Sequence, residues 1–238
     1  MRRVAEGVYH NLSSALRWNK KDWTTTAIVL GSTAAISLLD EPVNRFWEGK
    51  QDPFLDVANE AGYWYGTPYS GMILTGGFYV TGLIFKNEWA RETGLVLGTA
   101  FTTSTLIVSV FKPLVGRTRP GNGVDIYEFH PFTSQGRFHA FPSGHAIISC
   151  TLSLVLAKRI NNTSLKIFFY TLAASTAFCR LYTNAHWLSD VALGGAIGWF
   201  TASNTNRHLL GNHFKKLRKS NVSMTPNLGG MTFRVCFN

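Results

Sequence analysis

The sequence predicts an all-α chain folded as a six-transmembrane-helix bundle, and three observations carry that expectation. Long charge-free runs punctuate the 238 residues, basic residues cluster on alternate connections between those runs, and the runs are rich in Gly, Ala, Ser and Thr. Run length speaks for spanning helices, charge alternation for a fixed orientation, and small residues for close helix–helix contact.

In chain order, residues 1–22 read as an amphipathic cytoplasmic entry segment, with Val8, Leu12, Ala15 and Leu16 at helical spacing. Such a segment lies on the inner membrane surface or packs on the bundle. The six runs follow, at Trp23–Leu39, Ala61–Phe85, Thr93–Phe111, Phe138–Ala157, Ile167–Cys179 and Val191–Asn206. The second, third and fourth have full spanning length, roughly 17–25 residues, and the others sit at or below its lower end. Residues 40–67 form a first outer loop rich in acids and aromatics, and 112–142 a second containing Gly and Pro. The domain is therefore expected over 23–206, with 207–238 a basic flank and tail. In the tail, Met231, Phe233, Val235 and Phe237 alternate with polar residues at a strand-like period of two. No partner strand is evident there, so an unstructured terminus is expected.

With the N-terminus inside, fifteen of the 23 basic residues fall on the four inner segments 1–22, 86–92, 158–166 and 207–219. The outer stretch 40–67 holds only Arg45 and Lys50 against Asp40, Glu41, Glu48, Asp52, Asp56 and Glu60. This positive-inside pattern explains the net charge of +10 without nucleic acid, which would call for one continuous basic surface. The rival fold is a soluble helical protein with buried core helices. Cys150, Cys179 and Cys236 have neither zinc nor disulfide spacing. No cleavable signal peptide is expected, because the first apolar run starts only at Trp23. The chain has no internal repeat and no low-complexity linker.

Three clusters carry chemistry. Lys112, Arg119 and Pro120 follow the third run; Pro142, Ser143, Gly144 and His145 open the fourth helix; Arg180, His186 and Asp190 link the fifth run to the sixth. In the six-span topology all three meet at the outer, non-cytoplasmic face, where converging charge near membrane depth marks a site. Lys112, Arg119 and Arg180 supply one point charge and two planar forks, a set suited to a phosphate dianion. Ser143 is placed as an N-cap, which leaves the N–H groups of Gly144 and His145 at a helix start as an anion hole. His186 and Asp190 are four residues apart and share a face if the segment is helical, so the carboxylate can hold the imidazole while its other nitrogen attacks. Arg117 is expected on the opposite side from Arg119 and outside the site. Taken singly, each cluster has an ordinary structural reading as a cap, a core histidine or an anchored helix end.

Together, these residues resemble the type 2 phosphatidic acid phosphatase superfamily, which includes bacterial acid phosphatases and vanadium haloperoxidases. The pattern K-x6-R-P, P-S-G-H and S-R-x5-H-x3-D is met over 112–190, with Cys179 standing where the family usually has Ser. The resemblance implies that His186 is the nucleophile and Asp190 orients it. It implies that His145 protonates the leaving alkoxide and then activates water, and that Lys112, Arg119, Ser143, Gly144 and Arg180 bind phosphate. It further implies a metal-independent hydrolase with no cofactor; the resemblance does not fix the substrate, but a site at the outer membrane face favours a lipid phosphate monoester or diphosphate. The apolar runs and their flanking charges lead to a multi-pass placement, expected in a bacterial inner membrane with the site facing the periplasm. Membrane lipids are the expected surroundings, and nucleic acid is not an expected partner. A soluble or peripheral acid phosphatase and a vanadium-dependent haloperoxidase are the alternatives. The aromatics Trp64, Tyr65, Tyr69, Tyr127, Phe129, Phe132 and Phe138, near the site's mouth, fit either an interfacial position or ordinary loop packing.

Overall fold

The computed structural model describes residues 2–50, 52–120, 125–219, 222–227 and 230–235. Nine helices are found among them: α1 (Arg2–Leu12), α2 (Lys20–Ser37), α3 (Asp40–Trp47), α4 (Pro53–Tyr65), α5 (Pro68–Ile84), α6 (Glu88–Val115), α7 (Gly144–Arg159), α8 (Thr163–Tyr182) and α9 (Leu188–Lys219). Caps set several of the boundaries. Asn19 and Asp22 exchange side-chain and backbone hydrogen bonds in a capping box at the start of α2. Asn87 and Asn162 cap α6 and α8 by accepting backbone N–H groups. α2 then bends by 52° into α3. The expected single run over 61–85 is divided at Gly66 and Thr67. Pro68 at the first turn of α5 fits a new helix start, and α4 and α5 go on to pack on different partners, α8 and α6.

Packing brings α6, α7 and α9 to the centre, with Val96, Leu97, Ala100, Ile148, Leu152, Val155, Leu156 and Ala202 as the apolar core. Small residues set the spacing. A Cβ placed on Gly194 of α9 would lie 2.8 Å from the Ser143 carbonyl oxygen, and one on Gly198 2.7 Å from that of Ile147. The interior is unusually polar, because Thr93, Thr99, Thr103, Ser104, Thr151, Ser153 and Thr201 are buried. Ser104 and Thr151 hydroxyls pair at 2.8 Å, as do Tyr65 and Ser153. Large apolar residues instead face outward, among them Ile28, Ile73, Val80, Ile84, Val110, Ile167, Phe168 and Trp199. By length and composition α6 is long and apolar enough to cross a membrane, and α2 with α3 passes the same test as one bent span.

α1 docks on α6 and α9. Its buried Asn11 donates to Thr103 and Thr205 at 3.1 and 2.7 Å and accepts from Asn204 at 2.9 Å. α9 runs beyond the sixth apolar run, through the basic flank to Lys219. The tail corrects an expectation: β1 (Val222–Asn227) pairs antiparallel with β2 (Gly230–Val235), so the alternating segment has a partner in the residues just before it. Gly229 and the last three residues of that alternation lie outside the described residues.

Candidate active site

The chain delivers most of the polar groups from helix ends, and Arg119 and His186 from the connections beside them. Lys112 sits in the last turn of α6, which Gly116 closes in the left-handed region at φ 64°. A Cβ on Gly116 would fall 1.8 Å from the His130 carbonyl oxygen, so only glycine fits. The following loop is stapled back by N–H groups of His130 to Gly116 (2.8 Å), Thr118 to Glu128 (3.1 Å) and Ala140 to Arg117 (3.0 Å). Lys112 Nζ donates to the His139 carbonyl at 2.9 Å, and its Cε is 3.5 Å from where a Gly144 Cβ would stand. Ser143 caps α7 by accepting from Ala146 N–H, which leaves the N–H groups of Gly144 and His145 at the free helix start. The Ser143 N–H donates to the Asp190 carbonyl at 3.0 Å and ties the start of α7 to that of α9. Arg180 ends α8, and its carbonyl accepts from Ala185 and His186 at 3.1 and 3.2 Å.

All eight expected site residues converge. Lys112, Arg119, Arg180 and His186 lie within electrostatic reach of His145, and the three cations reach His186 too. His186 and Asp190 are buried, while Lys112, Arg119 and His145 are half-buried. Burial first, then the charges of Lys112, Arg119 and Arg180, push the His186 imidazole well below its ordinary range. Burial and Arg180 also lower Arg119, with Asp190 opposing them. Three nitrogens in this pocket, His145 Nε2, Arg180 Nε and His186 Nδ1, are buried without a protein hydrogen-bond partner. The Tyr63 ring stands 5.3 Å from that of His145 and beneath Arg180, 5.1 Å from its guanidinium carbon. Arg180 Nη2 donates to Cys179 Sγ at 3.2 Å. Among the described residues no group of three or more His, Cys, Asp or Glu is arranged to hold a metal ion.

Three expectations need correction. His186 precedes α9 and does not share a helical turn with Asp190. Its Nδ1 is 3.6 Å from Asp190 Oδ2, which accepts the Trp187 N–H at 2.9 Å. Arg117 belongs with the site: it is buried against Asp190 at 2.6 Å and Asp40 at 2.8 Å. Of the aromatics, Phe138 is buried and Tyr65 turns inward to Ser153, whereas Trp64, Tyr69, Tyr127, Phe129 and Phe132 are exposed. Sequence reasoning missed Asp40 and Ser189, which bind Arg117, and Trp187, whose indole N–H donates to the Thr118 carbonyl at 2.8 Å. Asp40 lay among six acids of one presumed loop, so nothing in its type or spacing singled it out.

The sequence profile described as the PAP2 superfamily matches residues 93–210, which hold every one of the eight site residues. The chain belongs to the PAP2 superfamily. Among its PAP2 relatives, a lipid A 4'-phosphatase of Bacteroides thetaiotaomicron is 28% identical over 69% of this chain and 74% of its own length. An undecaprenyl-diphosphatase of Sulfolobus acidocaldarius is 29% identical over 50% of this chain and 56% of its own. The crystal structure of a transmembrane PAP2-type phosphatidylglycerolphosphate phosphatase from Bacillus subtilis shares the fold at a TM-score of 0.60 and 21% identity, covering 81% of this chain and 95% of that one. That of Aquifex aeolicus LpxE does so at 0.55 and 21% identity, covering 71% and 95%.

Proposed function

We propose that this PAP2 protein is a multi-pass membrane phosphatase that hydrolyses a lipid phosphate monoester or diphosphate through a phosphohistidine on His186. The observation that carries the reading is the pocket where Lys112, Arg119 and Arg180 surround His186 and His145, with His145 Nε2 and Arg180 Nε buried without a protein hydrogen-bond partner. Three cations and the N–H groups at the start of α7 fit the equatorial oxygens of a phosphoryl group in transfer. The neutral His186 attacks phosphorus while the bond to the lipid oxygen breaks and His145 gives that oxygen a proton. Water then attacks the phosphohistidine, His145 takes its proton, and phosphate leaves with His186 regenerated. Asp190 supports the charge that develops on the His186 ring.

Outward-facing apolar residues and inward-facing hydroxyls support a bundle surrounded by lipid. In this reading α2, α4 with α5, α6, α7, α8 and α9 make six crossings. The site then opens on the non-cytoplasmic side, the periplasm in a bacterial inner membrane, and the basic connections stay inside. The name of the Bacteroides relative makes a lipid A phosphate the first substrate to assay.

Phosphate release from phosphatidate, phosphatidylglycerophosphate, an isoprenyl diphosphate, lipid A and p-nitrophenyl phosphate tests the reading. One lipid should exceed the soluble ester in kcat/KM by on the order of 10-fold or more, because binding of the remote lipid portion assists turnover. Micromolar vanadate should inhibit and chelators should not. A requirement for magnesium, or bromide oxidation by vanadate-loaded protein at rates rivalling phosphate release, would replace this mechanism with another.

A further inference from the structure

Behind the phosphate pocket lies a buried ionic network that the reaction described above does not use. Arg117 is 3% exposed, and both its carboxylate partners, Asp190 and Asp40, are fully buried. Nη1 donates to Asp190 Oδ1 at 2.6 Å and to Ser189 Oγ at 2.8 Å, while Nη2 donates to Asp40 Oδ2 at 2.8 Å. Asp40 in turn accepts the Ser189 N–H at 2.8 Å and its hydroxyl at 2.6 Å. We propose that Arg117 and Asp40 form a positioning clamp that sets the Asp190 carboxylate against His186, so that both residues govern turnover through Asp190. The inference rests on His186 being the nucleophile and Asp190 its partner.

Geometry gives the clamp its function. Arg117 holds Oδ1 of Asp190 and the Trp187 N–H holds Oδ2, so the carboxylate has no free torsion, and Oδ2 faces His186 Nδ1 at 3.6 Å. Arg117 alone would cancel the charge that Asp190 has to offer the imidazole. Asp40 restores it, leaving the three groups with one net negative charge beside a pocket of three cations. The bend between α2 and α3 delivers this second carboxylate, because Asp40 opens α3 just past it. α3 grips the same segment a second time: Asn44 donates to Oδ1 of Asn184 at 2.8 Å, two residues before His186.

The test uses full-length protein in detergent and two variants, Arg117→Lys and the charge-balanced pair Arg117→Gln with Asp40→Asn. The pair removes a cation and an anion together, which avoids leaving one buried charge uncompensated. Arg117→Lys keeps the charge but loses the fork that reaches both carboxylates. Each is measured alone and with Asp190→Asn, by single-turnover release from p-nitrophenyl phosphate. The charge-balanced pair should lower the rate on the order of 10–1000-fold, with KM changed much less and Arg117→Lys intermediate. With Asp190→Asn already present, either change should cost less than roughly threefold, because groups that act as a unit do not add. Wild-type turnover in both clamp variants, or a loss that multiplies with that of Asp190→Asn, would overturn the clamp. Wild-type turnover in Asp190→Asn alone would remove the underlying role of Asp190 instead, so the two failures are distinguishable.

Discussion

In the proposed mechanism His145 and His186 share a pocket but meet different demands, and substrates with different leaving groups separate them. A lipid alkoxide needs a proton as it departs, whereas p-nitrophenolate leaves without one. His145→Ala should therefore lose about 100–10,000-fold on an alkyl or lipid phosphate and far less in the first step on p-nitrophenyl phosphate. A burst of nitrophenol is expected there if dephosphorylation becomes limiting. Equal losses on both substrates, without a burst, would leave His145 as a phosphate-positioning group only. The eight candidate residues, which the fold brings together, stood out because their types and spacings repeat a known pattern over 112–190. Arg117 and Asp40 did not, because their contact joins residues 77 apart, and spacing says nothing about such pairs. The same limit hid the way Asp190 is held, by Arg117 and a backbone N–H and not by a shared helical turn.

At the scale of elements, the site depends on helix ends held at close range by small residues. Two adjacent glycines of α9 give a controlled comparison. A Cβ on Gly194 would meet the Ser143 carbonyl oxygen at 2.8 Å and Ala146 Cβ at 3.0 Å, but one on Gly195 meets nothing within 4 Å. Gly194→Ala must push α9 from the start of α7, at a cost of about 1–3 kcal/mol. It should lower both thermal stability and turnover, since Ser143 and His145 move with that helix start. Gly195→Ala should be neutral or stabilising by up to about 1 kcal/mol, from helix propensity alone. Equal Tm values for the two variants would show that the α7–α9 contact is looser than described. Five of the six apolar runs correspond to one helix each. The second does not, because charge-free composition carries no mark of the break at Gly66 and Thr67 that lets α4 and α5 take different partners.

Among the described residues, buried hydroxyls accompany the apolar core while many large apolar side chains face outward. In the proposed orientation, a cysteine replacing Ser134 in the loop before α7 should react with an impermeant thiol reagent in intact cells. One replacing Asn161, between α7 and α8, should react only after lysis, and the reverse pattern would invert the site. The central claim, phosphoryl transfer through His186, is tested most directly by rapid quench into alkaline denaturant after mixing the enzyme with a phosphorus-labelled lipid substrate. Wild-type protein should carry an acid-labile, alkali-stable phosphoryl group on the peptide containing His186, and His145→Ala should accumulate it with p-nitrophenyl phosphate. His186→Ala, folded and membrane-inserted, should carry none and release no phosphate. Turnover by His186→Ala, or label found on another residue, would contradict the account.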